Sequence, residues 1–282
     1  MNEQGTQGVY KGHVTHGFKI TIFLLLFALM AFRIIYNNAS EIVPDHFLLL
    51  VAASIVVYLW WQELRDYYRL ASLHNDLKKS YEQLKRSEVD TIATLARALE
   101  AKDLYTSGHS ERVTKVALAI ADEMKLPREK KEVILRSGML HDIGKIGLED
   151  SILNKKEELT EDEWRAIKMH PLKAFEMLKP LKFLSAVRDA ILSHHEHYDG
   201  SGYPYGLKGP EISPEAMILA VADAFDAMNS RRAYREPLDK KDIIAEFNKL
   251  RGSKYAPEVI DAFLALLEKN PALWKRDEEG GG

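Results

Sequence analysis

The chain opens on two apolar runs and then turns to a regular alternation of charged and apolar positions. Phe18 to Tyr36 is apolar except for Lys19, Thr21 and Arg33, and Phe47 to Trp61 carries no charge at all. Each comes close to the ~20 mostly apolar residues that a membrane-spanning helix needs. Lys19 and Arg33 can extend towards head groups, and Tyr58, Trp60 and Trp61 suit an interfacial belt. The pattern predicts a transmembrane hairpin over residues 18–61, preceded by an N-terminal tail over 1–17. The loop from Asn37 to His46 holds Glu41 and Asp45 but no Lys or Arg, whereas Lys11, Lys19, Arg65 and Arg69 flank the runs. By the positive-inside rule both termini lie in the cytoplasm, so the expected location is the inner (plasma) membrane, multi-pass. Two other readings compete. A cleavable signal peptide fits less well, because no A-x-A-like site follows the first run and a second run does. A buried hairpin in a soluble protein is the other.

Residues 62–101 contain no Pro or Gly, and Leu70, Leu77 and Leu84 recur at seven-residue spacing with Leu73 offset by three. This predicts a helical stalk with a coiled-coil pattern, which would make the protein a homodimer. Ser80 and Ser87 weaken the other half of the seam, so a single amphipathic helix fits nearly as well. Beyond Asp103 the periodicity is helical throughout. Thr160 with Glu163 reads as a capping box, Ser213-Pro214 as an N-cap followed by Pro, and Asp239 as a further N-cap. Helices are predicted near 110–125, 128–141, 160–169, 180–195, 214–229, 239–250 and 257–268, giving an all-α domain over 102–272. The tail over 273–282 is expected to be disordered.

Composition narrows the chemistry. The 282 residues include no cysteine, so any metal must rest on His, Asp or Glu. The net charge is -3 without a long basic tract, which argues against extended nucleic-acid binding.

The run His194-His195-Glu196-His197-Tyr198-Asp199-Gly200-Ser201-Gly202-Tyr203-Pro204 is the strongest local signal. Adjacent histidines offer two neutral imidazoles to one site, and the glycines permit a sharp turn or a close backbone approach. A lone HH pair is more often part of a surface turn; here its company argues otherwise. His141-Asp142-Ile143-Gly144-Lys145 ends an apolar helical run. Asp142 can bridge two cations, and Lys145 is near enough to reach a phosphate that they hold. His109 stands at a helix start, His170 precedes Pro171, and Asp223 interrupts an apolar run where an unpartnered carboxylate would be costly. Singly, each of these can be a core or capping residue. Together, His109, His141, His170, His194 and His195 with Asp142 and Asp223 fall within 115 residues.

These stretches resemble the HD-GYP family, a branch of the HD-domain metal phosphohydrolases that hydrolyses cyclic di-GMP. The resemblance covers roughly Thr91 to Ala272. It includes His109-Ser-Glu-Arg-Val, His141-Asp-Ile-Gly-Lys, His170-Pro, the complete HHExxDGxGYP run and Asp223-Ala-Phe-Asp-Ala. It implies an all-α HD-domain helical bundle. It also implies two divalent ions, iron or manganese, one on His109, His141, Asp142 and Asp223. The other would share Asp142 with His170, His194 and His195. Asp142 and Lys145 are then the catalytic pair. Gly202, Tyr203 and Pro204 join Lys145, Arg232 and Arg235 in binding substrate.

Two departures stand out. Some members carry a glutamate four residues before the first histidine and bind a third metal. Here Tyr105 occupies that position, which favours two metals. The family's Arg-Pro-Tyr-Arg/Lys segment appears as Arg232-Ala233-Tyr234-Arg235, keeping both cations without the proline.

The implied reaction is attack by a hydroxide bridging two metals on the 3′,5′-phosphodiester of cyclic di-GMP, giving pGpG, with further cleavage to GMP as a second stage open to it. Lys145 would stabilise the phosphoryl oxygens, while Glu196 and Asp199 read as orienting and turn-forming residues. Two alternatives remain. One is a non-catalytic receptor or docking module whose Gly202-Tyr203-Pro204 loop meets a partner such as a GGDEF-domain protein. The other is the same centre acting on a different nucleotide ester.

Overall fold

The fold follows from helix periodicity broken by caps, prolines and glycines. The computed structural model describes residues 22–23, 26–33, 45–102, 108–155, 157–230 and 236–274. Among them the architecture is all-α, with a single isolated bridge between Arg251 and Tyr255 and no strand. In chain order the helices are α1 (Asp45–Glu100), α2 (His109–Glu123), α3 (Arg128–Leu140), α4 (Asp150–Leu153) and α5 (Glu161–Lys168). They continue with α6 (His170–Leu178), α7 (Ser185–Ser193), α8 (Pro214–Asn229), α9 (Lys240–Leu250) and α10 (Pro257–Lys269). A 3-10 turn, Ile143–Gly147, follows α3. Residues group into two compact units, Met1–Lys85 and Arg86–Gly282.

In the first unit, the expected transmembrane hairpin is corrected, and with it the multi-pass inner-membrane location. Among the described residues no helix is long and apolar enough to cross a membrane. The uncharged run Phe47–Trp61 has only fifteen residues before Glu63, Arg65 and Asp66 intervene on the same helix. Fifteen residues span about 22 Å, short of the ~30 Å hydrocarbon core. Residues 18–21, 24–25 and 34–44 of the first run and its connecting loop lie outside the described residues, as do the tails at 1–17 and 275–282. Leu70, Leu73, Leu77 and Leu84 of the expected coiled-coil seam are exposed on α1.

The second unit has one main hydrophobic core and a smaller companion. Val113, Ala117 and Ile120 form a stripe on α2 at helical spacing, and pack with Ile218, Leu219, Ala222 and Phe225 of α8. Phe247 from α9 and Phe263 from α10 close this core, their rings 4.9 Å apart, and Phe225 lies 5.2 Å from Phe263. The companion cluster joins Ile92 and Ala96 near the end of α1 to Met139, Leu140, Ala174, Leu178, Val187 and Ile191. Helix α3 serves both, with Ile134 in the first and Met139 and Leu140 in the second. Its last turn delivers His141 and Asp142.

Local signals set most of the boundaries. Thr160 and Glu163 form the reciprocal capping box at α5, and Ser213 Oγ accepts from Ala216 N at 3.2 Å to start α8. Asp239 stands at the N-cap of α9 without a side-chain capping bond. The helix over His170–Leu178 goes beyond the expected pattern. Pro171 falls in its first turn, where the missing N–H costs nothing, so it starts a helix as readily as it ends one.

Replacing Phe263 by Ala removes the ring shared by α8, α9 and α10. We expect a stability loss of about 3–5 kcal/mol, read as a lower denaturant midpoint with an unchanged slope.

Candidate metal centre

Four helix ends deliver histidines to one place, and each imidazole is held by its Nδ1. His141 follows α3 and its Nδ1 bonds Gly138 O at 2.8 Å; His170 opens α6 and bonds Ile167 O at 2.8 Å. His194 follows α7 and bonds Ile191 O at 2.5 Å. A carbonyl only accepts, so each of these Nδ1 atoms carries the proton and each Nε2 keeps a free lone pair. His170 Nε2 and His194 Nε2 are buried with no hydrogen-bond partner. Two orphaned acceptors side by side in the interior are what a cation site requires. His109, in the first turn of α2, is held differently, its Nδ1 2.8 Å from Asp226 Oδ2.

The free atoms converge on Asp142. His109 Nε2 lies 3.3 Å from His141 Nε2 and 3.4 Å from Asp223 Oδ1. Asp142 Oδ2 is 3.5 Å from His141 Nε2 and 3.9 Å from His109 Nε2, whereas its Oδ1 is 3.5 Å from His170 Nε2. The two oxygens of one carboxylate therefore face two different groups. In each group, His109 with His141 and Asp142, and His170 with His194 and His195, the ligand atoms lie within 4.8 Å of one another. Lys145 Nζ reaches Asp142 Oδ2 at 2.6 Å. The structure thus gathers His109, His141, Asp142, Lys145, His170, His194, His195 and Asp223.

The electrostatics divide the centre into halves. Burial opposes the charge of His109, but the hydrogen bonds it donates to Asp223 and Asp226, with the Asp223 and Asp142 charges, outweigh it and raise its pKa to about 10. Burial dominates for His170 and His195, lowering them to about 4 and about 3, and it drives His194 well down. Burial also opposes the charge of Asp142, yet Lys145 and the surrounding histidines hold its carboxyl well below the usual range. One half is rich in carboxylate, with Asp142, Asp223 and Asp226 around His109. The other is a set of neutral imidazoles. All donors are N or O, and neutral imidazole with carboxylate suits divalent first-row ions.

The signature loop is shaped by backbone approach. A Cβ on Gly202 would stand 2.2 Å from His197 N and 2.5 Å from Glu196 Cα, so the chain doubles back on itself there. Gly144 is under the same constraint: a Cβ would lie 1.9 Å from His170 O, and so the HDIGK turn rests on the start of α6. Glu196 is buried and accepts from Tyr205 N and Leu207 N at 2.7 and 3.1 Å. Asp199 accepts from Ser201 N at 2.9 Å. Tyr203, joined to Pro204 by a cis peptide, sets its ring 4.9 Å from that of His195, with Lys168 Nζ 5.7 Å from its centroid. Tyr105, Arg232 and Arg235 lie outside the described residues.

Two supporting residues escaped the sequence reading. Asp226 holds His109 and is itself gripped by Arg112, with Nε at 2.7 Å and Nη2 at 3.2 Å. Its position three after Asp223 on a helix was the available signal, since i and i+3 share a face. Glu100, at the end of α1, accepts from Gly108 N and Ser110 N at 2.8 Å each. It takes up donors at the start of α2 where Gly108, in a left-handed conformation, offers no capping side chain.

Comparison with known proteins places this arrangement. The HD domain family matches residues 93–259, more than half of the chain. The chain belongs to this HD-domain family, and its HHE-to-GYP run puts it in the HD-GYP branch. It is 40% identical over 198 residues to the cyclic di-GMP phosphodiesterase response regulator RpfG of Xanthomonas campestris pv. campestris, covering 70% of this chain and 52% of that protein. A cyclic di-GMP phosphodiesterase of Thermotoga maritima is 41% identical over 194 residues, covering 67% and 52%. The chain therefore spans about half the length of these curated relatives. The crystal structure of a cyclic GMP-AMP-specific phosphodiesterase from Vibrio cholerae superposes with a TM-score of 0.52 at 18% identity, covering 67% of this chain and 51% of that one. That likeness shows a common fold.

Asp226→Asn should weaken metal binding by about 10–100-fold, because it frees the His109 ring and leaves Arg112 without its carboxylate. Competition with a chelator of known affinity measures this, and affinity equal to wild type would remove Asp226 from the centre.

Proposed function

We propose that the chain is a metal-dependent phosphodiesterase that opens cyclic di-GMP to linear pGpG, with onward cleavage to GMP open to the same centre. The observation that carries this is the pair of orphaned nitrogens, His170 Nε2 and His194 Nε2, set beside a carboxylate whose other oxygen faces His141 and His109. Relatives named cyclic di-GMP phosphodiesterases support the choice of substrate. His109, His141, Asp142 and Asp223 would hold one divalent ion, and His170, His194 and His195 with the second oxygen of Asp142 would hold another. Iron or manganese fits such N/O donors. When bound, the ions supply positive charge that acidifies water and polarises phosphoryl oxygens.

The protein's own groups do the rest. The Nδ1 bonds to Gly138, Ile167 and Ile191 fix the tautomer of three imidazoles and orient their Nε2 atoms. Lys145 donates to Asp142 at rest, and its ammonium would turn to a phosphoryl oxygen as charge develops there. Tyr203 and Pro204, presented by the Gly202 turn, would border the substrate, and Arg232 and Arg235 would meet its guanine or phosphate groups. Docking of a GGDEF-domain protein by an inactive chain would be favoured by a missing ligand. All seven ligands are present.

Chelation should abolish turnover of cyclic di-GMP by the anaerobically purified chain. Fe(II) or Mn(II) should restore it at about two ions per chain. His141→Ala or Asp142→Ala should lose hydrolysis while circular dichroism keeps its helical signal; full activity in either would refute the site. Arg235→Ala should raise KM more than it lowers kcat, and an unchanged KM would take Arg235 out of substrate binding.

A further inference from the structure

One side of the centre opens on a cavity of about 300 Å³ whose far wall carries no ligand. His194, His195 and Asp223 form its near wall, and Glu246 and Leu250 of α9 with Lys254 and Tyr255 just beyond form the far one. Along α8, Ala220, Ala224 and Ala227 recur at helical spacing and line the space with methyl groups only. Backbone bonds fix its shape. Tyr198 N donates to Lys254 O at 3.2 Å and Asp199 N to Ser253 O at 2.8 Å, which ties the signature loop to the turn between α9 and α10. The volume is at the lower end for ligand pockets (~300–1,000 Å³), suited to one nucleobase and too small for a whole dinucleotide.

We propose that this cavity is a base subsite selective for guanine, with Glu246 reading the base edge. Guanine presents two neighbouring donors, N1–H and N2–H, beside the acceptor O6. A carboxylate accepts both donors at once. Adenine presents one N–H beside a ring nitrogen lone pair, so the same carboxylate would set oxygen against nitrogen. The Glu246 carboxylate is only loosely engaged, with the exposed Lys249 at 3.5 Å. On the same wall, Lys254 Nζ stands 5.4 Å from the centroid of the Tyr255 ring and supplies a donor for O6. Small alanine walls leave room for a flat ring, and Met228 adds an adaptable apolar contact. The base would then lie beside His194 and His195, with its phosphate directed to the metals.

This inference rests on the phosphodiesterase reading, because it names which base accompanies the scissile phosphate. The preference itself is measurable without turnover. Calorimetric titration of the Mn(II)-loaded full chain with 5′-GMP and 5′-AMP should give at least about tenfold tighter binding of GMP. Glu246→Gln loses a charge-assisted bond and should weaken GMP by about tenfold or more, with AMP little affected. In steady state with cyclic di-GMP the loss should fall on KM rather than kcat. Metal content and Tm equal to wild type establish that the variant is folded. Equal affinity for GMP and AMP in the wild type, or unchanged GMP affinity in Glu246→Gln, overturns the subsite. A chain that turns over no cyclic dinucleotide yet binds GMP through Glu246 keeps the subsite and refutes the phosphodiesterase.

Discussion

A buried carboxylate needs compensation, and Asp142 organises this domain by that need. Its charge lies inside the protein, so hydrogen-bond donors or cations must be arranged around it. Lys145 provides one contact at 2.6 Å, and His109, His141 and His170 from three helix ends stand around it. The imidazoles of His141, His170 and His194 in turn are fixed by backbone carbonyls three residues earlier in the chain. A side chain at the end of a helix can reach back to a carbonyl of the last turn or of the turn just before it. The ligand geometry is thus a by-product of where the helices stop.

This dependence explains how much of the centre was legible in the sequence. Ligand types at helix ends leave plain traces, because His141, His170 and His194 each sit next to a change of periodicity or a proline. The supporting contacts leave fainter ones. Asp226 is separated from His109 by 117 positions, and no local pattern brings such partners together. Glu100 caps a helix that begins beyond the end of its own. The extra helix at His170 was hidden because Pro171 signals an end and a beginning equally. Glycine roles were half legible: a turn at Gly200, with φ of 87°, is a local matter. The close approaches at Gly202 and Gly144 depend on what the chain does elsewhere.

The membrane expectation failed for a reason of length. Hydropathy counts apolar residues, but a spanning helix is a matter of distance, and Phe47–Trp61 is followed by charge on the same continuous helix. Trp60 and Trp61, expected as an interfacial belt, are exposed residues on that helix. The all-α expectation for the rest of the chain held because it drew on many independent turns of periodicity, each backed by a packed stripe such as Val113, Ala117 and Ile120.

Glu100 ends α1 and accepts from the backbone N–H groups on either side of His109, at the start of α2. Ile92 and Ala96, two turns and one turn earlier, pack in the cluster that also contains Met139 and Leu140, just ahead of His141. The last turns of α1 therefore act as a handle on the metal centre. Glu100 meets the backbone beside one candidate ligand, and Ile92 and Ala96 pack with the residues just before another.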